Sequence, residues 1–372
     1  MGSVFGMTEK TMHTVVLDAM GADRGPAEIL AGGVEAARRM GESLHVIVVG
    51  DENKLKPALA RISHPPANLS LHHAASEITM HVAPKESLRV KDSSISVGIR
   101  LVKEGKASGF VSPGNTGAVM ANALVTLGRI EGVSRPAITS VFPTSTGCPT
   151  VVLDVGANAD CKPQHLSQFA VMGSVYSSLV FNHASPKVGL LSIGEERSKG
   201  NELIFGAREL LNNSKINFVG NVEGRDILSG AVEVVVTDGF TGNIILKFAE
   251  SIQPFLVKAI KRQVETNVFS RFGAILLGPF LRRMKKTFDY AESGGAPLLG
   301  INGNVIICHG SSNARAITNA VLVAYEMAAK RLNERIRDEL ITNHFGSSNE
   351  SQNKSKDRRD GVVYSSEAND QR

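Results

Sequence analysis

The chain has 372 residues, 42% hydrophobic, 21% charged and 5% aromatic, as in a folded globular protein long enough to bury a large core. No run of about 18 apolar residues without charge occurs, which argues against a spanning helix, and the first residues lack the basic and apolar regions of a secretory signal. A net charge of +5 with no Trp, four Tyr and no helix-turn-helix, zinc-finger or RNP-like motif argues against nucleic acid as a partner.

The first eleven residues have no periodicity and read as an extension. A strand at Thr14–Leu17 then runs into Asp18-Ala19-Met20-Gly21, followed by a helix over Pro26–Met40. A strand at His45–Val49 ends in Gly50-Asp51. After a helix at Ser94–Glu104, a strand at Gly109–Val111 enters Ser112-Pro113-Gly114-Asn115-Thr116-Gly117, which opens a helix to Leu127. Strands follow at Ile138–Phe142 and Val151–Leu153, the second running into Asp154-Val155-Gly156-Ala157-Asn158, and then a helix at His165–Leu179. Further strands are expected at Val188–Ser192, Ile216–Val219, Val232–Thr237 and Val305–Cys308, with helices at Asn201–Leu211 and Ala314–Arg331. Residues 346–372 are rich in Ser, Asn and charge, and the composition predicts a disordered tail. Residues 12–345 therefore form the expected α/β domain. Continuous apolar strands alternating with helices predict a three-layer α/β/α sandwich around a mainly parallel sheet.

The turns after the strands are polar and Gly-rich. In a parallel sheet all of them would share the carboxyl edge, where open α/β folds bind ligands. The Ser112–Gly117 turn and His309-Gly310-Ser311-Ser312 each lead into a helix, whose free N–H groups favour an anion; plain capping by Thr116 and Ser312 is the alternative. Neither turn is a Walker A or G-x-G-x-x-G sequence. The three cysteines, Cys148, Cys161 and Cys308, make no CxxC pair, the histidines show no metal-ligand spacing, and there is no G-x-S-x-G elbow. A reaction without metal, cofactor or covalent intermediate is expected, with an attacking group such as inorganic phosphate that is already nucleophilic.

Six segments in order carry a resemblance: Asp18–Asp23, Ser112–Ala118, Leu153–Asn158, Leu191–Glu196 with Lys199–Leu203, Gly220–Asp226 and Asp238–Asn243. Together they resemble the motif series of the PlsX family, the bacterial phosphate acyltransferases of phospholipid synthesis, from about residue 13 to residue 330. The resemblance implies transfer of a fatty acyl group from acyl-carrier protein to phosphate. It also implies a homodimer and a fold similar to phosphotransacetylases and isopropylmalate-type dehydrogenases.

On this reading Lys199 is the cation for phosphate or oxyanion and Asn243 the neutral donor to the carbonyl oxygen. Asp238 orients the loop or Lys199, or merely makes a turn. His309 either protonates the leaving thiolate or is an ordinary buried histidine. Phosphate or substrate contacts are expected from Gly114, Asn115, Thr116, Gly117, Asn158, Glu195, Asn201, Asn221, Gly242, Ser311 and Ser312. The alternatives are a phosphotransacetylase-like enzyme using acyl-CoA and a non-catalytic membrane scaffold.

Residues 251–290 interrupt the alternation. Eight basic and two acidic residues fall between Lys258 and Asp289, around an apolar centre. A helical tip is expected here, with Ile275, Leu276, Leu277 and Phe280 entering a bilayer and Arg271, Arg282, Arg283, Lys285 and Lys286 meeting anionic headgroups or the acidic carrier protein. Packing against the partner of a dimer is the alternative. The resemblance further implies a cytoplasmic enzyme, peripheral to the inner face of the membrane, that supplies a membrane-bound glycerol-phosphate acyltransferase.

Overall fold

Backbone pairing among the described residues builds one continuous sheet of eleven strands. The computed structural model describes residues 12–264 and 294–345, with five positions between them (273, 274, 277, 278 and 280). The strands are β1 (His13–Asp18), β2 (Leu44–Gly50), β3 (Leu69–His73), β4 (Gly109–Ser112), β5 (Ala137–Phe142), β6 (Thr150–Leu153), β7 (Val188–Leu191), β8 (Phe218–Val222), β9 (Val234–Val236), β10 (Ala296–Leu299) and β11 (Asn304–Ile307). Their spatial order is β3-β2-β1-β4-β11-β10-β5-β6-β9-β7-β8.

Side-chain alternation explains the layers. Val15, Leu17, Val46 and Leu153 join one apolar layer, while Val16, Phe110, Val152 and Val235 join the other. Strands buried on both sides need apolar residues at every position, hence the continuous runs in the sequence. One layer is covered by α1 (Pro26–Met40), α2 (Glu52–Ala60), α6 (Pro163–Phe181), α7 (Glu202–Asn212) and two late helices. The other carries α3 (Pro84–Ser87), α4 (Ser94–Lys103), α5 (Thr116–Thr126), α8 (Asp226–Ser229) and the start of α9 (Gly239–Val264). The late helices are α10 (Ala314–Ala329) and α11 (Leu332–Thr342). The first packs on α1, where the Thr318 hydroxyl donates to the Gly32 carbonyl at 3.0 Å. After α11 the Phe345 carbonyl accepts from the Gln168 carboxamide at 2.6 Å, which ties residue 345 into the body. The three-layer sandwich holds.

One expectation does not. β10 is antiparallel to both β11 and β5, and β5 is antiparallel to β6. Each reversal flips the chain direction, so β6, β9, β7 and β8 run opposite to β1, β2, β3, β4 and β11. The sheet is two parallel halves of opposite sense. Their carboxyl edges face opposite ways, and the polar turns cannot share one edge.

The interruption expected to begin at residue 251 also starts earlier. Asp238 caps α9, its Oδ1 accepting from the Thr241 N–H and its Oδ2 from the Thr241 hydroxyl, each at 2.8 Å. Gly242 and Asn243 therefore lie in the first turns of a helix rather than in a loop, and α9 continues through residue 264. The extension 1–11, the tail 346–372, and Arg271, Ile275, Leu276, Arg282, Arg283, Lys285 and Lys286 lie outside the described residues. Leu277 and Phe280 are described, with 56% and 60% of their surface exposed.

Candidate active site

The candidate residues divide between the two edges. On the first half, Asp18 ends β1 and is fully buried, accepting from the Met20 N–H (2.9 Å) and the Ser112 hydroxyl (2.7 Å). Ser112 Oγ in turn accepts from the Gly114 N–H at 3.0 Å, so a buried carboxylate shapes the turn leading to α5. Burial pushes the Asp18 carboxyl up to about 6, against the lowering effect of its hydrogen bonds from Ser112, Met20 and Ser94. Asn115, expected as an anion ligand, has its side chain committed. Its Nδ2 donates to the carbonyls of Thr79, Met80 and Val82 at 2.9–3.1 Å, and its Oδ1 caps α5 through the Ala118 N–H. Thr116 is exposed at the start of that helix and Gly117 is half-buried, packed so that a Cβ would meet Pro84 at 2.8 Å.

His309 stands on this same edge and is exposed, so the buried-histidine alternative fails. Its Nδ1 accepts the Ser311 N–H at 3.1 Å and lies 2.8 Å from the Ser311 hydroxyl, which in the neutral ring leaves the proton on Nε2. Ser312 is buried and its N–H donates to the His309 carbonyl at 2.9 Å.

The second half is organised around Asp154, which is buried at the end of β6. Its Oδ1 accepts from the N–H groups of Ile138, Gly156 and Ala157 at 2.9–3.1 Å. Its Oδ2 takes the Asn158 N–H (2.7 Å) and Asn158 Nδ2 (2.8 Å). Burial raises the Asp154 carboxyl above the ordinary range, and these bonds oppose the rise. The same carboxamide of Asn158 donates to the Pro136 carbonyl, so Asn158 is a brace for the turn.

The start of α9 presses against this turn. A Cβ on Gly242 would lie 1.9 Å from the Asp154 carbonyl oxygen, and one on Gly239 would lie 2.7 Å from that of Asn158. The two glycines of the Asp238–Asn243 motif are thus fixed by close backbone approach. They bring Asn243 beside Gly156, whose missing Cβ would stand 3.7 Å from the Asn243 carboxamide.

The next turns along this edge follow β7 and β8. Asn201 caps α7 through the Ile204 N–H (3.0 Å), and Glu195 pairs with Arg225 at 2.8 Å in the open. Asn221 donates to three carbonyls of the 194–199 turn. Lys199 and Asn243 differ from all of these. Both are exposed, and neither the ammonium nor the carboxamide bonds to another described residue. Lys199 sits on the turn after β7 and Asn243 in the start of α9 after β9, and these strands are paired neighbours about 4.8 Å apart.

Lys199, Asn243, Asp238, Asn158, Glu195, Asn201, Asn221 and Gly242 therefore gather on one edge. Gly114–Gly117, His309, Ser311 and Ser312 gather on the other. From β4 to β9 there are five strand steps, roughly 24 Å across the sheet, and no hydrogen bond among the described residues joins the two groups. His309 is not beside Lys199, and one phosphate ion cannot touch both groups within a protomer. The buried cradles of Asp18 and Asp154 escaped the sequence reading, although Leu-Asp at a strand end followed by glycine is an Asx-turn signature. Among the described residues no three His, Cys, Asp or Glu side chains gather as metal ligands would.

The chain thus has an α/β fold, a mixed sheet with helices on both faces, with an uncommitted lysine and carboxamide beyond the ends of neighbouring strands. It is similar to a phosphotransacetylase from Streptococcus pyogenes (TM-score 0.59, 18% identity, covering 86% of this chain and 96% of that one). EutD phosphotransacetylase from Staphylococcus aureus gives a TM-score of 0.56 at 19% identity, covering 85% and 94%. These likenesses concern the fold alone.

The model of a family described as "Fatty acid synthesis protein" matches residues 13–335. The phosphate acyltransferase of Halothermothrix orenii is 47% identical over 329 residues, 88% of this chain and 98% of that protein. That of Moorella thermoacetica is 51% identical over 312 residues, covering 83% and 91%. The chain belongs to this family, that of the PlsX-type phosphate acyltransferases, and is an acyltransferase.

Proposed function

We propose that the protein transfers a fatty acyl group from acyl-carrier protein to inorganic phosphate, with phosphate attacking the thioester directly. A phosphate oxygen forms the new bond to the carbonyl carbon and the C–S bond breaks. The carrier's thiolate leaves and takes a proton from water, and acyl phosphate is the product. The observation carrying this reading is the pair of uncommitted donors, Lys199 and Asn243, beyond the ends of adjacent strands on an edge whose other candidate side chains are occupied.

Lys199 supplies charge to the phosphate dianion or to the oxyanion, and Asn243 donates to the carbonyl oxygen as it gains charge. Asp238 acts through the α9 cap that sets Asn243, not through a bond to Lys199. Cys161 and Cys308 are disfavoured as nucleophiles, because burial pushes their thiols up to about 12.

The test is steady-state release of carrier thiol as a function of phosphate for wild type, Lys199→Ala and Asn243→Ala. Both variants retaining activity within about threefold, less than ~0.7 kcal/mol in barrier, would defeat the assignment. The donor is tested by comparing acyl-carrier protein with acyl-CoA at low and high salt. The acidic protein donor is expected to be preferred at low salt and to lose rate steeply as salt rises. Intact mass after incubation with donor alone should show no acyl-enzyme.

The same proposal includes a homodimer, cytoplasmic and bound peripherally to anionic membrane, that hands its product to a membrane-bound glycerol-phosphate acyltransferase. The exposure of Leu277 and Phe280, with Phe255 and Ile260 on α9, supports an apolar surface there. No helix among the described residues is long and apolar enough to cross a membrane. Leu276→Glu with Leu277→Glu is expected to release the protein from anionic liposomes while turnover is retained. Dissociation into inactive monomers would favour dimer packing instead.

A further inference from the structure

The turn that carries Lys199 is long and open. Ten residues, 192 to 201, join β7 to α7, and Ile193 and Glu195 to Lys199 are exposed. Its backbone nevertheless has a fixed course, because its carbonyls converge on one side chain. Asn221 Nδ2 lies 3.3 Å from the Gly194 carbonyl oxygen, 3.1 Å from that of Glu196 and 3.0 Å from that of Lys199. Asn221 is in β8, in register with Leu190 of β7, and only 8% of its surface is exposed. The orientation of the carboxamide follows from its surroundings, since turning it over would press Oδ1 against three carbonyl oxygens. Among the described residues that oxygen has no hydrogen-bond partner, nor has the buried hydroxyl oxygen of Ser192 at the root of the same turn.

From this geometry we infer that Asn221 is the positioning residue for Lys199. Its amide gathers the 194–199 turn over the end of β8 and fixes the stem from which the Lys199 side chain projects. Gly194 completes the fit, because a Cβ there would stand 2.8 Å from Lys199 Cγ. The Arg208 guanidinium holds the Arg197 carbonyl from outside, and the Lys199 N–H closes a turn on Glu196 at 3.0 Å. Neither of these contacts reaches the sheet. Asn221 alone, among the described hydrogen bonds of the Lys199 carbonyl, links that residue to a strand. A substrate contact from Asn221, the expectation drawn from sequence, does not suit an amide turned into the protein.

The inference rests on the proposed role of Lys199, and the experiment separates the two. Lys199→Ala, Asn221→Ala and the double variant are assayed for kcat and for the KM of phosphate and of the acyl donor. Asn221→Ser, which keeps a donor in less volume, serves if the alanine variant is poorly folded. Asn221→Ala is expected to alter the same parameter as Lys199→Ala, by about tenfold, with the other KM within twofold. The double variant is expected to be no worse than Lys199→Ala within threefold, because a positioning residue has nothing left to position. Faster amide exchange should be confined to residues 194–200. A double variant reduced by the product of the two single effects would overturn the inference while leaving Lys199 in place. So would an Asn221→Ala defect in a different parameter. Lys199→Ala with nearly full activity would defeat the role of Lys199 itself, and the single variant alone would reveal it.

Discussion

Gly242→Ala adds one carbon where α9 meets the turn after β6. That carbon would lie 1.9 Å from the Asp154 carbonyl oxygen, whereas carbon–oxygen contacts settle near 3.3 Å, so the helix start must retreat by about 1.4 Å. Alanine in an unconstrained helix would gain about 1 kcal/mol over glycine. Here overpacking costs about 1–3 kcal/mol, and retreat also stretches the bond from the Gly239 N–H to the Asn158 carbonyl, now 2.8 Å. The expected net is a loss of about 2 kcal/mol. Asn243 is the next residue and moves with the helix, and a 1 Å misplacement can cost about a hundredfold in rate. The assay pairs thermal unfolding with phosphate-dependent turnover. Gly224→Ala is the control, since it lies on the same edge with nothing within 4 Å of its added carbon, and it should change neither. A Gly242→Ala protein that melts at or above the wild-type temperature and turns over within threefold would refute the close-approach argument.

The Asp18 carboxyl sits at about 6 in the fold against an ordinary 3.8, so the folded state holds its proton more tightly between those values. Its contribution to stability is therefore greatest below about pH 4, falls as pH rises toward 6, and then levels off about 3 kcal/mol lower. Urea unfolding of wild type and Asp18→Asn across pH 4–7 should show that difference, and a flat difference would refute it. Asp238→Ala removes both bonds to Thr241 and should cost about 1 kcal/mol by thermal unfolding, with turnover reduced through Asn243. Towards Ellman's reagent the exposed Cys148 should react at once, whereas Cys161 and Cys308, with thiols raised to about 12, should react only on unfolding.

Strands covered on both faces announce themselves, and β1, β2, β4 and β6 lie within a residue or so of their apolar runs. β3 is an edge strand ending in exposed His72 and His73, and β10 carries Pro297 between glycines, so neither offers such a run. The reversal of the sheet had a signal that the β/α rhythm obscures. Between Phe142 and Thr150 there is no helix, only a short connection with Pro143, Gly147 and Pro149, and a connection that short joins antiparallel strands. In the site, Asn115, Asn158, Asn201, Asn221 and Asn243 all occur in or beside polar turns and look alike in sequence. What separates them is the backbone folded opposite each amide, which no local spacing encodes. Four are turned onto the chain itself, and only Asn243 is left facing outward.

The opposed halves also order the making of the molecule. Strands β5 to β9 come from one unbroken stretch, whereas the first half is split, with β11 and α10 following only after that stretch is finished. Thr318 meets Gly32 across 286 positions of chain. During synthesis the later half can complete its pairing while the earlier one still lacks the strand that lies against β4, and β4 presents an open edge throughout that interval. A nascent chain stopped before β11 thus carries a half whose strands are paired, though α6 still lacks the cover of α11, joined to a half whose sheet is open. The strands made first are the last to gain all their neighbours.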